Sequence, residues 1–407
     1  MQALFLFGAC ILSHYLLVPK KRLDIIWNHT AVCTQDCTDC CVDAVHARAQ
    51  GVNAVVRSVG LSRIDIVPMQ PSENKYGAAQ RHQQAIGREL SFEQKMTVLR
   101  NLDNFDVRLD ISGGDALVTP DGLQLLRASS EKVGRENVTL TVTGAGLKPS
   151  HMDEVASLIS ELNFTFNAAE PDDAVSRPRM YAASNLKMAT RVAARGIPVR
   201  AECPLLKGNC DHGHLKRLYL QLRDNGIQKL LVMRQFAVGR GQIAPELVPT
   251  REEYLSAIRY LFELEACYSG PKVKLQCALR HLAAKEGLIP APSVNPCDAV
   301  RESYGLMPDG TLLASPWAVG PQGRPLHQSW VIGNLAETPL TQLLRSPHAQ
   351  SMMFRADENY GHCKIFAFQH STRPEPTDRM FDKADPLLVE VMASGVTTID
   401  ADSGDVR

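Results

Sequence analysis

Between Leu23 and Met233 the chain alternates short apolar runs with segments of helical periodicity. That alternation restricts the fold more than any other feature of the 407 residues. Six runs read as buried strands: Leu23–Trp27, Val107–Ile111, Val138–Val142, Phe164–Phe166, Val199–Ala201 and Leu230–Met233. Apolar residues three and four apart predict helices over Phe92–Leu102, Met152–Leu162, Tyr181–Ala194 and Leu215–Leu222. Strands alternating with helices predict βα units around a parallel sheet, an α/β fold. Gly196-Ile197-Pro198 marks one helix-to-strand joint, since glycine ends helices and proline does not continue them.

Two stretches depart from this rhythm. From Gly51 to Glu89 there is an extra strand-like piece, Ile64–Val67, and then a polar stretch, Gln70–Gln84. We read residues 51–89 as an insertion over one end of the barrel-forming part, 22–245. Beyond it, residues 246–396 form a second unit. This unit carries a helix over Glu252–Leu264, a hairpin over Leu306–Leu313 around Asp309-Gly310, and a short helix at Leu340–Leu344. Residues 397–407 are small and acidic and read as a flexible tail. Residues 1–21 hold an apolar run, Ala3–Val18, interrupted by Ser13 and His14. It is short for a membrane span, and no basic residue precedes it as a secretory signal requires. A packed helix and a cytoplasmic protein are expected.

Charge excludes one class of function. Lys plus Arg and Asp plus Glu each number 44, so the net charge is zero, and no long block of one sign occurs. The electrostatic term behind non-specific nucleic-acid binding is missing, so no nucleic-acid partner is expected. The 11 cysteines are too sparse for a secreted disulfide framework. Three of them cluster and the rest scatter, which fits metal binding in a reducing compartment.

The cluster is Cys33-x3-Cys37-x2-Cys40, directly after the first strand. Short thiolate spacings let one loop wrap one iron–sulfur cluster. Three ligands on four irons leave one iron open to chelate another molecule. Two other readings of the spacing stand beside this one. Steps of four and three put three thiols on one helix face. A zinc site would recruit a fourth ligand, with Cys41 or His46 within reach.

The motif resembles that of the radical S-adenosylmethionine (radical SAM) superfamily, and further elements strengthen the likeness. Ser112-Gly113-Gly114-Asp115 follows the second strand and resembles the family's Gly-Gly-Glu element. Glycines permit close backbone approach, and a carboxylate attracts an ammonium. The third strand ends in Thr143-Gly144-Ala145-Gly146-Leu147, similar to the family's Asn-Gly element, and Asn167 follows the fourth. The sixth strand leads into Gly239-Arg240-Gly241, which resembles a turn of peptide-modifying members. One residue departs: Asp39 stands where the family usually has an aromatic beside the third cysteine.

The resemblance covers about Arg22 to Gly241. It implies a partial (β/α)6 TIM-like barrel with a [4Fe-4S] cluster on Cys33, Cys37 and Cys40 at the C-terminal mouth of the strands. It implies S-adenosylmethionine (SAM) bound near Asp39, Gly113, Gly114, Asp115, Thr143, Asn167 and Arg240. It also implies reductive cleavage of SAM, fed by a flavodoxin or ferredoxin, with the cofactors carrying the hard chemistry.

The C-terminal unit resembles the SPASM or twitch extension of such enzymes in Cys297-x12-Gly310-x4 and Gly333-Asn334-Leu335. Ser315 stands where that extension has a second cysteine, so an auxiliary cluster is not expected, although Cys267, Cys277, Cys297 and Cys363 remain as thiols able to converge. Cys203 and Cys210, at and after the fifth strand, are candidate hydrogen donors at the barrel mouth. Three functions follow: modification of a ribosomally made peptide, action on a small metabolite, or a zinc- or cluster-stabilised binding module without catalysis.

Overall fold

A computed structural model describes residues 22–58, 63–103, 105–173, 176–243 and 245–388. The apolar run Ala3–Val18 and the tail after Thr397 lie outside them. In chain order the first strands are β1 (Leu23–Thr30), β2 (Val32–Cys33), β3 (Val45–Gln50), β4 (Asn53–Ser58) and β5 (Arg63–Pro68). Helices α1 (Lys75–Ala85) and α2 (Phe92–Asn101) come next. The chain then alternates β6 (Val107–Gly113), α3 (Gly122–Val133), β7 (Val138–Thr141), α4 (Met152–Leu158), β8 (Glu161–Thr165), α5 (Tyr181–Ala193), β9 (Val199–Leu205), α6 (His212–Asp224) and β10 (Lys229–Arg234). After α7 (Arg251–Cys267) come β11 (Lys272–Leu275), α8 (Cys277–Lys285), β12 (Ser303–Leu306), β13 (Thr311–Leu313) and β14 (Val331–Asn334).

The expected α/β architecture is present. One sheet runs in the order β11-β10-β9-β8-β7-β6-β1-β12-β13-β14. It is parallel from β11 to β12 and antiparallel over the last three strands. The strands beyond residue 246 thus extend both edges of the same sheet. A second sheet, β2-β3-β4-β5, carries Cys33 at one edge, so the excursion begins at Val45.

The period-two alternation of the strands decides which side chains face inward. On β6, Val107, Leu109 and Ile111 are buried in the apolar core, while Asp110 and Ser112 face the interior cavity. On β9, Val199, Ala201, Cys203 and Leu205 join the core, and Arg200 and Glu202 face inward. The interior is therefore polar, and the outer face of the sheet is greasy.

Two local expectations change. The helix expected over Met152–Leu162 ends at Leu158, and Glu161 already opens β8. Ser160 N–H donates to Val138 C=O at 2.8 Å, and pairing with β7 overrides the helical period of Ile159 and Leu162. The polar stretch Gln70–Gln84 holds α1, whose buried face is Gly77, Ala78, Ala79, Gln80 and Gln83. Small and amide side chains give no apolar stripe, but Asn74 caps the helix through the N–H groups of Tyr76 and Gly77.

A buried ionic group braces the end of β1. Lys95, fully buried, donates to Glu89 at 2.9 Å and to Asp121 at 2.7 Å. Glu89 in turn accepts from Thr30 Oγ1 and the Ala31 N–H. His29 lies beside this group with Nε2 2.9 Å from the Ala116 carbonyl. Burial, with Lys95 adding, pushes His29 down to about 4. A histidine held neutral contributes its full stability above its unfolded value near 6.5 and loses it as pH falls toward 4. From pH 7 to pH 5 the loss expected from this group is about 2 kcal/mol. Urea melts should show that much more acid sensitivity in the native protein than in His29→Gln.

Candidate functional site

The site is built on the loop that leaves β2. Each of the three clustered thiols accepts one N–H. Gln35 N–H donates to Cys33 Sγ at 3.4 Å, Ala44 N–H to Cys40 Sγ at 3.3 Å, and Arg177 Nη1 to Cys37 Sγ at 3.4 Å. Burial is the largest cause of a raised pKa in all three, and it takes Cys37 to about 11 despite Arg177. Such thiols ionise when a metal compensates the charge. All three line one cavity of about 440 Å³. Among the described residues, no three His, Cys, Asp or Glu side chains converge on one point as a single ion requires. His46, considered above as a zinc ligand, does not line the cavity.

The Gly-Gly element lies against this loop. Gly114 N–H donates to Thr30 C=O and Asp115 N–H to Val32 C=O, both at 2.9 Å. A Cβ on Gly114 would stand 2.3 Å from the Val32 oxygen, so only glycine lets the two chains meet. Ser112, Gly113, Gly114 and Thr143 all line the cavity beside Cys33.

Other expected site residues are placed differently. Asp115 is fully buried and does not line the cavity. Its carboxylate accepts from Thr143 Oγ1 at 2.5 Å, Gly146 N–H at 3.2 Å and Leu117 N–H at 3.4 Å. It braces Thr143 rather than facing a ligand. Asp115→Ala leaves three buried donors without this acceptor, so unfolding free energy should fall by about 1–3 kcal/mol, measured in urea. Asn167 is buried behind the cavity, with its carbonyl accepting from Asn209 and His214. Asp39 is buried off the cavity and pairs with Arg177 at 3.7 Å.

Arg240 also lies off the cavity and clamps the cysteine loop from outside. Its guanidinium donates to Cys37 C=O at 2.6 Å, Ala44 C=O at 2.7 Å, Asp43 Oδ1 at 2.9 Å and Asp36 Oδ1 at 3.3 Å. Its backbone N–H donates to Cys40 C=O at 2.8 Å. Gly239 before it has φ of +54°, and a Cβ there would stand 2.4 Å from the Cys41 oxygen.

The candidate hydrogen donors are not at the mouth. Cys203 takes the outward register of β9 and packs in the core, and Cys210 donates to Leu206 C=O at 3.1 Å. Sequence reading missed Arg177, Tyr181 and Gln35 as cavity residues, along with the Cys41 thiol. None of these four sits in a motif. Period-two alternation signals the deeper Asp110 and Glu202. The opposite wall comes from the C-terminal unit and includes Cys277, Cys297 and Cys363, with Ser315 among them. Cys267 is exposed at the end of α7, away from the cavity.

No family model matches the chain, and no curated protein matches it in sequence. Solved structures do match in shape. Streptococcus suis SuiB bound to precursor peptide SuiA superposes with a TM-score of 0.58 at 15% identity, over 85% of this chain and 69% of that one. The enzyme anSMEcpe with bound AdoMet gives 0.54 at 11% identity, over 82% and 80%. Its form with AdoMet and the Cp18Cys peptide gives 0.54 at 12%, over 83% and 84%. The six-unit parallel sheet, its C-terminal extension and these superpositions together show that the chain has the fold of the radical SAM enzymes.

Proposed function

We propose that the chain is a radical SAM enzyme that modifies a ribosomally made peptide in the cytoplasm, with electrons supplied by a flavodoxin or ferredoxin. The observation that carries this is the row of three N–H-bonded thiols on the wall of one cavity, next to a Gly-Gly strap. Donors spread around a cavity suit a cluster of several irons better than a single zinc ion. Cys33, Cys37 and Cys40 would hold a [4Fe-4S] cluster, which supplies the electron that cleaves SAM. The N–H donors to their sulfurs favour the thiolate and tune its potential. Ser112 and the Gly113–Gly114 backbone offer acceptors to the ammonium of SAM, and Thr143 is held in place for the same end by Asp115.

Residues 22–245 serve as the barrel, and 246–396 as a SPASM- or twitch-like part that closes the cavity and keeps water from the reacting atoms. The similarity to SuiB and anSMEcpe, both solved with peptides, favours a peptide substrate. Anaerobic reconstitution followed by dithionite and SAM tests the reading. A four-iron absorption band and 5′-deoxyadenosine are expected. A colourless, zinc-loaded protein that leaves SAM intact would show a binding module instead.

A further inference from the structure

The wall facing the Cys33 loop carries a second group of thiols whose arrangement differs from the first. Cys277 opens α8, and its thiol is hydrogen-bonded to Cys297. The Cys297 sulfur also accepts from the backbone N–H groups of Ala299 and Lys364, and the Lys364 ammonium lies nearby. Three donors and a cation favour the ionised form, and Cys297 is lowered to about 5, chiefly through Cys277. Cys277 is correspondingly raised, and it keeps its proton. Both residues line the cavity that holds Cys33, Cys37 and Cys40. A protonated thiol in contact with a thiolate is the ground state of a redox-active dithiol. Two sulfurs in direct hydrogen-bond contact stand closer than thiolates on different irons of one cluster, and Ser315 supplies no fourth thiolate.

We propose that Cys277 and Cys297 form a dithiol that delivers a hydrogen atom to a substrate-centred radical. This rests on the radical SAM reading above. The balance is as follows. The Cys277 S–H bond breaks and its hydrogen atom goes to the carbon radical, forming a C–H bond and leaving a Cys277 thiyl. The thiyl joins the adjacent Cys297 thiolate in a disulfide radical anion. That species passes one electron to the oxidised cluster across the cavity and becomes the Cys277–Cys297 disulfide. An external dithiol reductant then returns two electrons and one proton. An S–H bond is weaker than an alkyl C–H bond, so the transfer runs downhill. Cys41, another cavity thiol, shares its loop with the cluster ligands and has no such thiolate outside that loop. The net result is replacement of a substrate hydrogen by one from solvent, as inversion of a carbon centre requires.

The test uses the reconstituted holoenzyme in D2O with dithionite and SAM and no other substrate, so that the 5′-deoxyadenosyl radical itself is the probe. Exchangeable thiol deuterium should appear in most of the 5′-deoxyadenosine. In C277A the deuterium should vanish from whatever 5′-deoxyadenosine forms, while in C267A it should remain. Separately, diamide treatment and peptide mass mapping should reveal a Cys277–Cys297 disulfide. Label that persists in C277A, or that tracks Cys41 in C41A, overturns the proposal, as does failure of the two thiols to link. So does an iron content near twice that of one four-iron cluster that halves in C277A/C297A/C363A, because the thiols would then be iron ligands. Complete absence of 5′-deoxyadenosine with the disulfide still mapped overturns the radical SAM reading, and the dithiol role falls with it.

Discussion

Alanine at Cys33, Cys37 and Cys40 together is expected to abolish 5′-deoxyadenosine formation and to leave the protein folded. Iron in the reconstituted protein should fall from about four per chain, the content of one four-iron cluster, to nearly none. The fold should survive because these thiols do little packing. Cys33 and Cys37 are 6% and 7% exposed on the cavity wall, and neither belongs to the main apolar core. Each removal deletes a small side chain and one weak N–H···S contact, and the cavity gives water access to the freed N–H. A circular dichroism spectrum and a melting temperature close to those of the native protein would confirm intact folding. Product from the triple variant would end the cluster assignment.

Arg240→Ala is expected to do comparable damage without touching the cavity. The guanidinium is 2% exposed and joins Asp36, Cys37, Asp43 and Ala44 in one fork. Removing it takes the cation from a buried carboxylate and leaves two carbonyls without donors. Breaking a buried pair of this kind costs about 3–5 kcal/mol. Most of that cost falls on the loop between Cys33 and Ala44, so the loop should lose its shape before the sheet does. Iron retention after gel filtration should therefore drop sharply, while the far-ultraviolet spectrum changes little. Arg240→Lys keeps the charge but cannot span two carbonyls and two carboxylates. It should retain an intermediate amount of iron. Full iron retention in Arg240→Ala would mean that the loop holds itself.

The sheet was legible because its outward residues repeat with period two and its helices with period 3.6. Leu109, Ile111, Val199 and Ala201 carry that signal in plain view. The cysteine loop was legible because spacing is a local property, and the Gly113-Gly114 pair because glycine alone tolerates the approach of Val32. What failed was direction. Asp115 was expected at the ligand, but a carboxylate one residue past the strand end can turn either way, and Thr143 with two backbone N–H groups turns it inward. Cys203 was expected at the mouth, yet its neighbours Arg200 and Glu202 already occupy the inward register. Arg177 lay in no motif, because its role depends on folding next to Cys37, 140 residues earlier in the chain. The convergence of Cys277, Cys297 and Cys363 depends on three separate elements and has no spacing to betray it.

The neighbours of β1 set an order of events during synthesis. This strand, which leads directly into the cysteine loop, lies between β6 and β12 and pairs Asp24 with Ser303. A ribosome therefore releases β1 about 280 residues before its second partner exists, a contact of very long sequence separation. Throughout that interval one edge of β1 stays unpaired, and the wall carrying Cys277, Cys297 and Cys363 is still unmade. The pocket is open on that side to the cellular machinery that loads iron and sulfide, and it closes only when the last third of the chain docks.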